Sequence, residues 1–210
     1  MDLKNIYNQQ KFTKRQKDIL SAALNIIATE GTKGLTLKKV SNYVGITDAA
    51  IYKHFKNKRH LILCLYDYIR SIIISTISPI VVQKNSAKER ISILIDTVIE
   101  YLIAHKGVNL ILLAESIYHN DEELREAMLS IFQGVGTLIK TLLLAGIATK
   151  EFKEELDPDM TTICLIGMIQ ATLTRYMLEK EANKKSFNLD KMKESIKKNF
   201  FYGITKNEIF

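Results

Sequence analysis

Residues 36–59 have the sequence TLKKVSNYVGITDAAIYKHFKNKR, which predicts two short helices joined by a turn at Gly45 and a further helix that starts near Lys58. Thr36 and Thr47 each precede a run with apolar residues at helical spacing, where a threonine hydroxyl caps the first free backbone amides. Gly45 falls where a helix ends in a left-handed residue, a conformation that side chains resist. The pattern therefore predicts a helix-turn-helix.

Each of the two short helices has a single apolar stripe. Leu37, Val40 and Val44 share one face of the first helix, and Ile51 and Phe55 recur at helical spacing in the second. The residues that stay off the second stripe are small or polar, namely Asp48, Ala49, Tyr52, Lys53 and His54. A short helix with small residues at its start and donors along its outer face suits the major groove of DNA.

The same residues resemble the DNA-binding region of TetR/AcrR-type transcriptional regulators. That family has Leu-Thr, an eight-residue helix, Gly-Val/Ile-Ser/Thr, and then an apolar-Tyr-x-His-Phe-x-x-Lys signature. The matching residues here are Leu35-Thr36, Gly45-Ile46-Thr47, Ile51-Tyr52-Lys53-His54-Phe55 and Lys58. The match covers residues 13–65, and it departs from the family where many members have Gly or Pro in place of Ala49 or Ala50.

The resemblance implies an all-α fold with two domains. A three-helix DNA-binding domain is expected at residues 1–60, and a helical ligand-binding and dimerisation domain at residues 61–210. Composition agrees with a globular helical protein, since 47% of the 210 residues are hydrophobic, 25% are charged and only two are proline.

The net charge of +7 is concentrated at one end of the chain. Residues 1–60 contain 12 Lys/Arg and 4 Asp/Glu, whereas residues 61–210 contain 18 Lys/Arg and 19 Asp/Glu. Clustered lysines are often only a solvated surface, but a segregation this sharp indicates a polyanionic partner for the first 60 residues. Binding through such a surface weakens with salt, because it releases counterions.

Specific DNA contacts are carried over from the family's recognition positions. The expected phosphate contacts are Thr36, Tyr52, His54 and Lys58, with Lys56 as a weaker candidate. The expected base-reading residues are Lys38, Thr47, Asp48, Ala49 and Lys53. Lys38 and Lys53 can donate to guanine, and Asp48 can accept from a cytosine amine, while Ala49 can contact a thymine methyl. A first-turn lysine such as Lys58 opposes the helix dipole, which a bound phosphate would explain.

The C-terminal part of the chain is expected to form a homodimer. The segment from Met160 to Thr174 is apolar on nearly every side, so other helices must cover it. The resemblance implies that the last two helices pair with their copies through Gly167, Ala171, Met192, Ile196 and Phe200. A two-fold dimer would read a palindromic operator in double-stranded DNA, with half-sites about 34–36 Å or a multiple apart.

Several polar residues lie on otherwise apolar helices of the second domain. They are Tyr101, His105, Glu115, Gln133, Thr137, Gln170 and Thr174. Taken singly, each is more simply a satisfied core or interface polar group. Together they predict an amphipathic pocket for a hydrophobic or amphipathic effector, such as a drug, a lipid or an aromatic metabolite. Such a ligand would lower operator affinity, with the helix that starts near Lys58 as the lever.

Other classes of function are disfavoured. The sequence has no Gly-rich phosphate loop, no paired-His zinc motif and no Gly-x-Ser-x-Gly elbow, so we expect no enzyme activity, no metal and no cofactor. Uncharged runs are too short for a membrane span and there is no leader peptide, which predicts a cytoplasmic protein. Two alternatives stay open. One is a TetR-like nucleoid or division-linked factor without an inducer, and the other is a helical ligand-binding protein that does not bind DNA.

Overall fold

The computed structural model describes residues 12–118, 120–181 and 188–205, and every regular element in those ranges is a helix. The helices are α1 (Lys14–Gly34), α2 (Leu37–Val44), α3 (Asp48–Tyr52), α4 (Lys58–Val81), α5 (Ala87–Ala104), α6 (Val108–Tyr118), α7 (Glu122–Ala148), α8 (Pro158–Glu181) and α9 (Leu189–Ile204). One isolated antiparallel bridge joins Phe152 to Thr205. The expected all-α fold is confirmed.

The chain packs as two compact units. The first contains residues up to 75 and residues 105–134, and the second contains residues 76–104 and 135–210. Helices α1–α3 and α6 belong to the first unit, α5, α8 and α9 belong to the second, and α4 and α7 contribute to both. The domain boundary expected near residue 60 remains a prediction about the organisation of the sequence.

Helix α1 begins at a capping box and is interrupted near its end. The Thr13 hydroxyl accepts from the Gln16 amide at 3.2 Å, and Gln16 Oε1 accepts from the Thr13 amide at 3.0 Å. Gly31 leaves the helical conformation with φ of 68° and ψ of −179°. A left-handed glycine commonly ends a helix, but here one more turn follows the interruption and reaches Gly34.

Helices α2 and α3 form the expected helix-turn-helix. The hydroxyls of Thr36 and Thr47 accept from the amides of Lys39 and Ala50 at 3.1 and 3.2 Å, so both threonines cap as predicted. Gly45 is left-handed, with φ of 68° and ψ of 43°.

Helix α3 ends at Tyr52, earlier than the sequence pattern predicts. Phe55 therefore lies in the turn after the helix. It is nevertheless fully buried, like Leu35, Val40 and Ile51, so the apolar stripe continues past the end of the helix.

Helix α4 is fastened to α6 and α7 by polar groups. The Tyr66 hydroxyl is buried and donates to the Leu112 carbonyl of α6 at 2.7 Å. Arg59 donates to both carboxylate oxygens of Asp121, at 2.9 and 3.0 Å, and pairs with Glu123 at 2.8 Å. The Arg59 guanidinium lowers the pKa of the Asp121 carboxyl. The start of α4 is thus held to the start of α7 by an exposed, charge-assisted contact.

Pro79 lies inside α4 and does not end it, although a proline inside a helical pattern usually ends or kinks the helix. The helix continues to Val81, because Ile77 and Ile80 are buried and keep the last turn against the core.

In the second unit, two lysines of α9 reach α5, where Lys197 pairs with Asp96 at 3.2 Å. The other, Lys193, pairs with Glu100 at 2.5 Å.

Two of the helices, α4 and α7, are long and apolar enough to cross a membrane by length and composition alone. Both have residues that are fully buried in the protein interior, for example Leu65 in α4 and Leu142 in α7. The expectation that the chain has no membrane partner stays a prediction.

Gly45→Ala should lower the free energy of unfolding by about 1 kcal/mol, because a side chain disfavours the left-handed conformation. Gly203→Ala is the matched control. Apart from the adjoining backbone, no described residue has an atom within 4 Å of a Cβ added at either glycine, but Gly203 is helical and should tolerate alanine. Urea unfolding followed by circular dichroism measures both. Equal stability of the two variants would contradict the backbone argument.

Arg59→Gln should raise the pKa of the Asp121 carboxyl toward its ordinary value, because the guanidinium stabilises the charged carboxylate. Since the folded-state pKa is lowered, the stabilisation is present at neutral pH and is lost as the pH falls through that lowered pKa. The carbon-13 shift of the Asp121 carboxyl, titrated by NMR, reports the change. Arg15→Gln removes the same charge elsewhere and should leave the Asp121 titration as it was; an unchanged titration in Arg59→Gln would refute the assignment.

Candidate DNA-binding surface

The sequence-predicted DNA contacts lie on α2, the turn after it, α3, and the segment that leads into α4. Those that are exposed are Thr36, Lys38, Thr47, Asp48, Ala49, Tyr52, Lys53 and Lys56, while His54 and Lys58 are half-buried. Tyr52 has 57% of its surface exposed although it is aromatic, which leaves its ring and hydroxyl available to a partner. The helix-turn-helix therefore presents a small, polar and basic outer face.

The two capping threonines keep a donor for an outside acceptor. In each cap the hydroxyl oxygen accepts from a backbone amide. A hydroxyl also has one proton to donate, and a phosphate oxygen or a base acceptor can receive it. Thr36 and Thr47 can thus cap their helices and contact DNA at the same time.

Asp48 has a structural partner that the sequence did not reveal. Ser41 is fully buried, and its hydroxyl lies 2.5 Å from Asp48 Oδ1 and 2.8 Å from the Lys38 carbonyl. The carboxylate therefore ties the first turn of α3 to α2. The sequence feature that could have revealed this contact is Ser41 itself, which lies beside Val40 on a buried stripe, because a buried hydroxyl needs an acceptor. Base reading by Asp48 would have to use its other carboxylate oxygen.

Lys58 is turned toward the end of α1. Its ammonium donates to the Thr32 carbonyl at 2.6 Å in a partly buried setting. An ammonium has three protons, so two remain for a phosphate. Thr32 itself is buried, and its hydroxyl donates to Glu115 of α6 at 2.5 Å. Sequence reasoning missed Thr32, which follows Gly31 and resembles an ordinary loop threonine.

The turn between α3 and α4 is closed by side chains. The Asn57 side-chain oxygen accepts from the His60 amide at 2.8 Å, and His60 Nδ1 accepts from the Lys56 amide at 3.1 Å. The His60 ring also packs against Phe55, with ring centroids 5.9 Å apart. This turn fixes the backbone on which His54, Lys56 and Lys58 stand.

The residues predicted to line an effector pocket do not fall in one unit. His105, Glu115 and Gln133 belong to the first unit, and Tyr101, Thr137, Gln170 and Thr174 belong to the second. Gln133 and Thr174 are exposed and the other five are half-buried. A group that sequence reasoning missed is Asn109 of α6, whose buried Oδ1 has no hydrogen-bond donor among the described residues. The pocket assignment stays a prediction.

The residues predicted to form the dimer interface fall into a buried group and an exposed group. Met192, Ile196 and Phe200 of α9 are buried within the subunit itself, whereas Gly167 and Ala171 of α8 are exposed. Helix α8 adds further exposed apolar residues at helical spacing, namely Met160, Ile163 and Leu178, which are 55%, 60% and 67% exposed. The unpartnered apolar face is therefore on α8.

The described part of the chain contains no candidate metal site. Within the ranges 12–118, 120–181 and 188–205, no group of three or more His, Cys, Asp or Glu side chains is arranged to hold a metal ion.

Comparison with known proteins finds two family models that match this chain. The family model for bacterial regulatory proteins of the tetR family matches residues 19–65, and the model for the tetracyclin repressor-like C-terminal domain matches residues 84–176. The nucleoid occlusion factor SlmA of Vibrio atlanticus is 24% identical over 166 residues, which cover 79% of this chain and 85% of the relative.

A second relative is the fatty acid metabolism regulator protein of Bacillus subtilis, which is 25% identical over 193 residues, or 91% of this chain and 97% of the relative. The crystal structure of the Bacillus subtilis transcriptional regulator FadR in complex with stearoyl-CoA superposes with a TM-score of 0.77 at 24% identity. That match covers 89% of this chain and 98% of FadR. Because both the N-terminal and the C-terminal family models match, and the helix-turn-helix geometry is in place, the chain belongs to the TetR family of bacterial transcriptional regulators.

Proposed function

We propose that this regulator is a cytoplasmic homodimeric repressor, without enzyme activity, that binds a palindromic operator and is released by a hydrophobic or amphipathic effector. The observation that carries the proposal is the helix-turn-helix, whose exposed basic residues sit in the part of the chain that holds the whole positive net charge. We call residues 1–60, which carry this charge and include the helix-turn-helix, the head. A basic head with a short exposed recognition helix is suited to phosphate attraction and to base reading in a major groove.

The roles within the head follow from donor type and exposure. Lys38 and Lys53 are exposed cations that suit guanine acceptors, and Ala49 offers a methyl contact to thymine. Thr36, Tyr52, His54, Lys56 and Lys58 surround this surface with donors that suit phosphate oxygens. Phosphate contacts of this kind fix the register of the head on DNA, and the base contacts select the sequence.

The homodimer is supported by the exposed face of α8. Ile163, Gly167 and Ala171 bring apolar and small side chains to one surface, which would let the α8 helices of two subunits approach closely. A free apolar face of this kind is unfavourable in water and is typical of an interface. Two-fold pairing would also place two recognition helices over the two halves of a palindrome.

An amphipathic effector is supported by the relatives and by Asn109. The similar FadR structure contains stearoyl-CoA, a ligand with a long apolar chain and a polar head. In this chain, α6 carries Asn109, whose buried side-chain oxygen accepts no hydrogen bond from the described residues. Glu115 of the same helix is half-buried. A ligand donor would satisfy the Asn109 oxygen while an acyl chain occupies apolar surroundings.

A nucleoid or division-linked factor without an effector is the second candidate, favoured by the similarity to the nucleoid occlusion factor SlmA. Both candidates bind DNA through the same head. They differ in whether a small molecule changes the affinity for DNA.

The proposal is tested on duplexes that the wild-type protein selects from random sequence. We expect palindromic duplexes, tight binding near physiological salt, and weaker binding when stearoyl-CoA is added. Lys53→Ala should weaken binding roughly tenfold or more, because it removes a base contact. Lys84→Ala removes a charge that is also exposed but lies outside the head, and is the control; fluorescence anisotropy measures all affinities.

Coenzyme A without an acyl chain is the control for the effector and should leave DNA affinity unchanged. Specific DNA binding that ignores stearoyl-CoA would argue against an acyl-thioester effector and favour the effector-free factor. If no duplex is selected, or if Lys53→Ala binds as tightly as the wild type, the proposed head function is wrong.

Ile163→Asp should convert the dimer into a monomer, because two carboxylates would be brought into an apolar contact without a partner. Val82→Asp is the matched control, since Val82 is 72% exposed but lies outside α8. Sedimentation equilibrium gives the mass of each variant. A dimer in Ile163→Asp as stable as that of the wild type would place the interface elsewhere.

A further inference from the structure

Thr32 connects three helices of the first unit, α1, α4 and α6. It lies in the last turn of α1 with 8% of its surface exposed, and its hydroxyl donates to the Glu115 carboxylate of α6. Its carbonyl accepts from the Lys58 ammonium at the start of α4, at 2.6 Å, and from the amide of Leu35, just before α2, at 3.2 Å. The bond from Leu35 caps the end of α1 itself, so Thr32 contacts α6 through its side chain and α4 through its backbone.

The position of Thr32 is not set by regular helix geometry. Gly31 interrupts α1 directly before it, with φ of 68°, so the turn that contains Thr32 is oriented independently of the helix that precedes it. A buried hydroxyl bound to a carboxylate is a stronger tether than a bond between neutral groups. The contact with Glu115 therefore holds this turn, and with it the carbonyl that Lys58 uses.

Lys58 is the residue whose placement this arrangement controls. Its long side chain has several rotatable bonds, and holding it in one conformation is entropically unfavourable unless a partner fixes it. The Thr32 carbonyl takes one of the three ammonium protons and leaves two for a phosphate. The ammonium is thereby held beside the first turn of α4 before DNA arrives.

We propose that Thr32 is a positioning residue for the Lys58 phosphate contact, and that Glu115 of α6 acts on DNA affinity through Thr32. This inference rests on the proposed DNA-binding function of the head. Its consequence is that α6, which is not part of the helix-turn-helix, sets the strength of one phosphate contact in each subunit. A displacement of Glu115 would be passed to Lys58 by two hydrogen bonds.

The test is a double-mutant cycle on DNA binding by the full-length protein, with the duplex selected by the wild type. Thr32→Val removes the hydroxyl and keeps the shape, and Lys58→Met removes the ammonium and keeps most of the chain length. We expect Thr32→Val to weaken binding about three- to tenfold, as for loss of one hydrogen bond. In the Lys58→Met background the same change should have no further effect, because the contact that it positions is gone.

Salt dependence separates positioning from simple destabilisation. Lys58→Met should reduce the slope of log affinity against log salt by about one per subunit, and Thr32→Val should reduce it partly. A variant that only destabilised the head would keep the wild-type slope. Thr32→Ser restores a hydroxyl and should recover the slope, and Thr29→Val is the control because, among the described residues, that hydroxyl bonds only to the backbone of α1.

Glu115→Leu tests the same chain of contacts from the other end, and replaces Thr32→Val if that variant loses its fold. It should weaken DNA binding in the wild-type background and leave binding unchanged in Lys58→Met. Effects of Thr32→Val or Glu115→Leu that are equal in both backgrounds would overturn the inference while leaving the head function intact. A wild type that selects no duplex, or a Lys58→Met variant with wild-type affinity and slope, would instead refute the proposed phosphate contact.

Discussion

The burial of one apolar stripe on each of two very short helices is the constraint on which the DNA-binding head depends. Helices of eight and five residues are unstable alone in water, because nucleation is costly and few hydrogen bonds follow it. Val40, Ile51 and Phe55 are fully buried, so tertiary packing supplies the missing stability. The same packing fixes which residues face outward, and that outer face contains Lys38, Lys53 and Ala49. The packing that stabilises the fold therefore also determines the binding surface.

Local rules predicted the features that depend on neighbouring residues. The caps at Thr36 and Thr47, and the left-handed Gly45, all follow from the side chain at a single position and the next few amides. Pro79 shows where such rules stop. Its ring removes a donor, but burial of Ile77 and Ile80 carries α4 past it, and that burial depends on residues distant in sequence.

Non-local contacts account for what the sequence could not show at the candidate site. Asp48 was expected to read a base, and a buried serine seven residues earlier contacts one of its oxygens. Thr32 carries no sequence motif and gains its importance from Glu115, 83 residues away. On α9 the amphipathic pattern was visible, but not which surface covers it: Met192 and Phe200 are buried within their own subunit. The dimer face is consequently better sought on α8.

The contacts that fasten the head within the first unit differ in strength, and this has a consequence for regulation. The pair between Arg59 and Asp121 is solvent-exposed, and exposed pairs contribute little net stability. The Tyr66 hydroxyl and the Thr32 hydroxyl are bonded in more buried surroundings, where loss of a partner leaves a desolvated polar group. Both of these stronger bonds end on α6, at Leu112 and Glu115. The buried hydrogen bonds to α6 are costlier to break than the exposed ion pair to α7. A ligand that shifts α6 must therefore either move the head with it or break a buried hydrogen bond. A shift at the start of α7 can instead be absorbed by the exposed ion pair.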